Sequence, residues 1–127
     1  MRGLLDTSVF IADEQGRTLD VNQLPDEAAV SVVTLAELEL AVHLATSDEM
    51  RSRRLRTLLG VQATYVPLPI DPPVAAAFAQ LVATARREGR RPRVQDAWIA
   101  ATANAHGVPI YTQDADFEGL SVDVVSV

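Results

Sequence analysis

The sequence predicts an α/β fold, a three-layer sandwich around a central, mostly parallel sheet of four to five strands. Short apolar runs typical of buried strands alternate along the chain with longer segments of helical periodicity. No tight hairpin signal joins two neighbouring strands, which favours parallel pairing through helical crossovers. Because the chain has 127 residues, of which 48% are hydrophobic, we expect one domain with its own core.

The predicted strands are short runs rich in apolar and β-branched residues. The first lies directly after the N-terminus, and the third is closed by Pro69. The five runs are residues 3–5, 29–33, 65–68, 108–111 and 122–127. In parallel sheets, ligands bind beyond the carboxyl ends of the strands. Polar residues that directly follow these runs are therefore the first candidates for a functional site.

The predicted helices follow capping and stop signals. Thr7 or Ser8 is expected to cap a short first helix that includes residues 9–11. Thr34 and Glu37 have capping-box spacing, which predicts a second helix reaching about residue 44. Ser47 marks the start of the third helix, the sequence Asp71-Pro72-Pro73 marks the start of the fourth, and Gly107 marks the end of the fifth. These later helices are predicted over residues 48–60, 72–88 and 94–106.

The composition excludes several kinds of chemistry. The chain has no cysteine, which rules out disulfides, thiolate zinc sites and cysteine nucleophiles, and its two histidines leave little room for a histidine-rich metal site. All 11 basic residues are arginine, so mechanisms that need a lysine are excluded. No membrane span is expected, because the longest uncharged run, residues 97–113, contains glycine and proline. An acid at position 6 comes too early for a signal peptide, and we expect a cytoplasmic protein.

Four carboxylates are predicted to gather at the carboxyl edge of the sheet. Asp6 follows the first strand, Glu37 lies in the first turn of the second helix, Asp96 opens the 94–106 helix, and Asp114 follows the 108–111 strand. Like charges repel, so such a cluster favours a bound cation. Oxygen ligands select hard ions such as Mg²⁺ or Mn²⁺, which carboxylates hold for phosphodiester hydrolysis. The alternative is that each acid is only a helix cap, a capping-box partner or a turn residue.

Four segments resemble the motifs of PIN domains, and they occur in that family's order. They are LLDTS at 4–8, SVVTLAEL at 31–38, DAWIAATA at 96–103 and TQDADF at 112–117. The matches span nearly the whole chain, so residues 1–127 are expected to form a single PIN-like domain. The length is similar to that of VapC-type toxins of toxin–antitoxin pairs. The resemblance implies a metal-dependent endoribonuclease toxin that cleaves RNA, is neutralised by a cognate antitoxin and forms a homodimer.

The resemblance also assigns roles to the acids. Asp6, Glu37, Asp96 and Asp114 correspond to the family's catalytic quartet, with Asp6 and Asp96 as the firmest ligands of Mg²⁺ (or Mn²⁺). Asp116 could share or replace the role of Asp114, because many relatives have one more residue before the Asp-Phe pair. Asp114 is preferred, since it keeps the Thr-x-acid spacing.

Other polar residues near these motifs are candidates for contacts with the substrate. Ser8 and Thr112 are expected to orient a ligand or a phosphate. Arg90, Arg91 and Arg93 precede the third motif, and guanidinium groups match phosphate geometry. The alternative for these arginines and for a second run at 51–56 is an ordinary solvated surface. Because the positive charge is concentrated in these two runs, the net charge of −6 does not exclude RNA.

Three other functions are alternatives to the nuclease. A catalytically inactive PIN-like binding module is possible, although the complete set of acids argues against it. A receiver-like signalling domain needs a lysine that this chain lacks. A phosphatase of the haloacid-dehalogenase type needs Asp-x-Asp after the first strand, where this sequence has Asp6-Thr7-Ser8.

Overall fold

Four strands form one fully parallel sheet in the computed structural model, which describes all residues from Met1 to Val127. The strands are β1 (Arg2–Leu5), β2 (Glu27–Ala29), β3 (Ile110–Thr112) and β4 (Val124–Ser126), in the order β2-β1-β3-β4. Five helices pack around it: α1 (Thr7–Glu14), α2 (Val32–His43), α3 (Asp48–Thr64), α4 (Pro72–Arg87) and α5 (Val94–His106). The predicted α/β class with a central parallel sheet is confirmed.

Side-chain alternation along the two central strands separates the core into two layers. Leu4 and Ile110 pair in register and point to one face, where they pack with α4, α5 and the buried Phe117. Leu5 and Tyr111, the next pair, point to the other face and pack against α2 and α3. The sheet is therefore the middle layer of the predicted sandwich, and both faces are covered by helices.

The strand predicted at 65–68 is absent from the sheet. Only one isolated bridge forms there, between Ser31 and Leu68. Pro67 and Pro69 flank Leu68 and lack the backbone N–H that a continuous ladder needs. The sheet consequently has four strands, the lower number that the sequence predicts.

Two predicted helix caps are wrong. Asp6, not Thr7 or Ser8, caps α1, and its side chain accepts a hydrogen bond from the Ser8 backbone N–H. Ser31 caps α2, since its Oγ accepts from the backbone N–H of Val33 at 3.0 Å. The helix thus begins three residues before the expected capping box, which places Glu37 in its second turn.

The pair α4 and α5 is held together by aromatic stacking. The rings of Phe78 and Trp98 lie nearly parallel, with centroids 3.8 Å apart. Helix α5 begins and ends close to the predicted residues, and Gly107 ends it in the left-handed conformation (φ 64°) that glycine adopts at low cost. None of the helices is long and apolar enough to cross a membrane.

Candidate active site

The ends of the two central strands bring Asp6 and Thr112 together. Because β1 and β3 are parallel neighbours, Asp6 extends the pairing, and its backbone N–H donates to the carbonyl of Tyr111 at 2.9 Å. The Thr112 hydroxyl then donates to Asp6 Oδ2, also at 2.9 Å. Both side chains are buried, at 3% and 0% exposure. The first predicted site residue is therefore fixed by the sheet itself.

A chain of hydroxyl groups supports the Asp6 carboxylate. The backbone N–H of Gln113 donates to Ser8 Oγ at 3.0 Å, and Ser8 Oγ lies 3.0 Å from Thr112 Oγ1. Thr112 donates to Asp6, so its oxygen accepts from Ser8 and from the backbone N–H of Asp114. The Ser8 hydroxyl thus donates to Thr112, and the Thr112 hydroxyl donates to Asp6, where this series of hydrogen bonds ends.

Glu37 reaches the same region from α2 and is oriented by Thr7. The Thr7 hydroxyl donates to Glu37 Oε1 at 2.8 Å and lies 3.0 Å from the hydroxyl of Thr34. Thr34 is fully buried and contacts Thr7, whereas the sequence predicted it as the cap of α2. The threonine–acid spacing of the sequence therefore reflects contacts with α1 and not a capping box.

Asp96 lies in the first turn of α5 and is 5% exposed. Arg93 holds it with two hydrogen bonds, from Nε to Oδ2 at 3.0 Å and from Nη2 to Oδ1 at 3.4 Å. The same guanidinium lies 3.9 Å from Asp116 Oδ2. Asp96 is therefore a positioned, charged acid and not a helix cap.

These groups line a single small cleft at the carboxyl edge of the sheet, with a volume of about 170 Å³. The structure brings together all four acids of the predicted quartet. The lining residues are Asp6, Thr7, Ser8, Ile11, Arg17, Glu37, Arg93, Asp96 and Asp114. A larger cavity of about 390 Å³ lies between α1 and α3, away from the acids.

Four of the predicted site residues lie outside the cleft lining. Asp116 is exposed and faces Arg93 from outside. Arg90 pairs with Glu88 at 3.0 Å and donates to the Gly119 carbonyl, and Arg91 lines a different cavity against α4 and the start of α5. Thr112 is also absent from the lining, but it contacts the cleft through Asp6.

The sequence did not single out Arg17, which lines the cleft and whose charge partly offsets the rise in the pKa of Asp114 that burial and acidic neighbours cause. The sequence feature that could have indicated Arg17 is the glycine before it, which predicts the end of α1. In the structure Gly16 adopts a positive φ of 70°, and the Arg17 backbone N–H donates to the carbonyl of Ala12 at 2.8 Å.

Burial raises the pKa of three acids in the cleft. For Asp6, loss of hydration is the main cause, and the hydrogen bonds from Ser8 and Thr112 oppose it. For Glu37, burial is again the main cause, and the charges of Asp6 and Asp96 add to it. For Asp114, burial acts together with its acidic neighbours. The cleft thus holds carboxylates that would be stabilised by a cation.

A comparison with protein families identifies the family of the chain. A family model described as PIN domain matches residues 3–122. The chain belongs to the PIN-domain family. This PIN domain is 46% identical to ribonuclease VapC5 from Mycobacterium tuberculosis over 129 residues, which cover 98% of the chain and 95% of the relative. It is 33% identical to toxin FitB from Neisseria gonorrhoeae over 70% of the chain and 66% of that relative.

Solved structures show the same fold. The VapBC-5 toxin–antitoxin structure from Mycobacterium tuberculosis matches this PIN domain with a TM-score of 0.87 and 41% identity, covering 99% of the chain and 97% of the matched chain. The FitAcB structure from Neisseria gonorrhoeae matches with a TM-score of 0.73 and 31% identity, covering 96% and 95%. The resemblance that the four motifs predict is confirmed for the family and the fold.

The donor set of this PIN domain fits a hard divalent ion. All the acids in the cleft offer oxygen, and two of them, Asp6 and Asp96, are almost completely buried. As the side chains stand, no three acids converge on one point, and Arg93 takes both oxygens of Asp96. The chemistry of the donors therefore suits Mg²⁺ or Mn²⁺, whereas Asp96 is at present bonded to an arginine.

The raised pKa of Glu37 predicts that its charged form destabilises the metal-free protein. As pH rises, Glu37 loses its proton at a lower pH in the unfolded chain than in the folded protein. The free energy of unfolding therefore falls through that interval and stays lower above it. Glu37→Gln should raise Tm at pH 7 by up to about 3 °C and leave it unchanged below about pH 4. Thermal melts without divalent ions measure this.

The exposed Glu39 on the same helix supplies a matched control. Glu39→Gln removes the same charge but lies outside the cleft lining, so its Tm should follow that of the wild type at both pH values. Equal Tm gains in the two variants at pH 7 would show that net charge, and not the cleft, causes the effect.

Proposed function

We propose that this PIN domain is a metal-dependent endoribonuclease toxin whose activity is neutralised by a cognate antitoxin. The observation that carries the proposal is the gathering of Asp6, Glu37, Asp96 and Asp114 in one cleft at the carboxyl edge of a parallel sheet. The names of the relatives, ribonuclease and toxin, agree with it. A complete set of acids also argues against an inactive binding module.

In this proposal, Asp6 and Asp96 hold Mg²⁺ or Mn²⁺, and Glu37 and Asp114 complete the site. When bound, such an ion supplies positive charge where the phosphodiester becomes more negative during hydrolysis. Asp114 is preferred over Asp116 as the fourth acid because it lines the cleft. We propose that Asp116 acts from the rim, where it faces the Arg93 guanidinium.

The neighbouring residues orient these acids. The hydrogen bond from Thr112 fixes the rotation of the Asp6 carboxylate, and Ser8 in turn fixes Thr112. Ser8 and Thr112 were predicted to contact the substrate, but their hydroxyl groups are already committed within the protein. We therefore assign them a positioning role. Thr7 does the same for Glu37.

We propose that arginines at the cleft contact the RNA backbone. Arg17 and Arg93 line the cleft, and a guanidinium can bind phosphate oxygens with two parallel hydrogen bonds. Arg90 and Arg91 lie outside it and are proposed to contact more distant phosphates of the same strand. Sequence preference then depends on the shape of the RNA rather than on base stacking, since no aromatic ring lines the cleft.

The surface of the α2–α3 hairpin supports a protein partner. Four of its leucines are exposed: Leu40 (54%), Leu44 (64%), Leu55 (40%) and Leu59 (53%). Leu38 and Leu58 of the same helices are buried, as expected for core residues. The matched VapBC-5 structure is described as a member of a family of toxin–antitoxin systems. We propose that this protein works in the cytoplasm as a homodimer and that a cognate antitoxin covers apolar surface of this kind.

The test is cleavage of total cellular RNA by the purified chain in Mg²⁺ or Mn²⁺. We expect cleavage with either ion, complete loss after chelation with EDTA and recovery when the ion is restored. A single-stranded DNA should stay intact. Asp96→Asn, purified in parallel, controls for contaminating nucleases. Cleavage that persists in EDTA, or that the variant shares in full, would refute the proposed activity.

A further inference from the structure

Arg93 occupies an unusual place for a cation. It is the residue that immediately precedes the first turn of α5, and its side chain makes no capping hydrogen bond there. The N-terminal end of a helix disfavours positive charge. Its guanidinium instead turns onto Asp96, one turn later, and holds both carboxylate oxygens. Asp96 therefore accounts for the placement of Arg93.

The charge of Arg93 acts on the whole acidic cleft. Its Nη2 lies 3.9 Å from Asp116 Oδ2. Burial and neighbouring acids raise the pKa of Glu37 and of Asp114, and the charge of Arg93 offsets a small part of that rise. In this structure the guanidinium is thus the cation that contacts Asp96, one of the four acids of the cleft. It also remains largely exposed, since 66% of its side chain is accessible compared with 7% for Asp96.

We propose that Arg93 is a built-in counter-cation that competes with the divalent ion for Asp96 and is released to the RNA phosphate when the ion binds. This inference rests on the proposed metal-dependent function. An Asp96 oxygen that accepts from a guanidinium has less capacity for a metal, and two cations at one carboxylate repel each other. Binding of the ion therefore displaces the arginine side chain toward solvent.

The displacement couples metal loading to substrate binding. While Arg93 is bonded to Asp96, its Nε and one Nη2 donor are occupied and its side chain is tied to that carboxylate. Once it is released, the same guanidinium lies at the mouth of the cleft with its donors free. Arg93 thus pairs with Asp96 when no ion is present and becomes a contact for the substrate phosphate when the ion is bound.

Isothermal titration with Mn²⁺ alone tests the competition. Arg93→Gln should bind Mn²⁺ about fivefold more tightly than the wild type, which corresponds to about 1 kcal/mol for a partly exposed ion pair. Arg93→Lys, which keeps the charge but not the two-pronged geometry, should fall between them. The control is Arg87→Gln, which removes the same charge from an exposed arginine that makes no ion pair. Its Mn²⁺ affinity should equal that of the wild type.

Two further readouts separate the possible failures. Without metal, Arg93→Gln should have a lower Tm than the wild type, and saturating Mn²⁺ should raise its Tm by more. If Arg93→Gln and Arg87→Gln bind Mn²⁺ with equal affinity, or if Arg93→Gln binds it more weakly than the wild type, the counter-cation role is refuted while the metal site stands. If neither the wild type nor any variant binds Mn²⁺, the proposed metal-dependent function itself fails.

Discussion

Asp6→Asn should lower the rate of RNA cleavage by about 10³-fold or more. The substitution removes one negative charge from the most buried acid of the cleft, and a lost metal interaction is worth several kcal/mol of transition-state stabilisation. The asparagine keeps the size of the side chain, and its carbonyl oxygen can still accept from Thr112. The loss of activity is therefore expected without a loss of the fold. Single-turnover cleavage of one RNA measures the effect.

The stability of the same variant separates chemistry from structure. Asparagine is as good a helix cap as aspartate, so α1 should keep its start. Burial raises the pKa of Asp6, which means that its charge costs stability at neutral pH, and the metal-free variant should melt at the same or a higher temperature.

Asp20 offers a matched control for this substitution. Its side chain likewise caps a short turn, by accepting from the Asn22 backbone N–H at 3.3 Å, but it is exposed and lies outside the cleft. Asp20→Asn should cleave RNA at the wild-type rate. Similar rates for Asp6→Asn and Asp20→Asn would remove Asp6 from the active site.

The positions of the acids could be predicted because local sequence determines them. Asp6 directly follows an apolar strand, and Asp96 directly follows the start of a helix that Gly107 ends. A parallel sheet then brings strand ends and helix starts to one edge. No long-range contact has to be known for this step, which explains why the quartet of acids was found from the sequence.

The contacts between these residues could not be predicted, because they join distant parts of the chain. Ser31 and Thr34 are both favoured cap residues, and it is a long-range contact that commits the Thr34 hydroxyl to Thr7 while Ser31 caps the helix. Similarly, the run of arginines before α5 does not reveal that Arg93 alone binds Asp96, or that the turn at Gly16 carries Arg17 to the cleft.

The most direct test of the central claim, that Asp96 is a metal ligand in a ribonuclease site, is RNA cleavage by Asp96→Cys in Mg²⁺ and in Mn²⁺. The chain has no other cysteine, so the new thiolate is the only sulfur ligand of this kind. Thiolates prefer softer ions to Mg²⁺. We expect activity about 10³-fold below that of the wild type in Mg²⁺ and partial recovery in Mn²⁺, so that the ratio of the two rates rises at least about tenfold. A wild-type rate in Mg²⁺, or an unchanged ratio, would contradict the assignment.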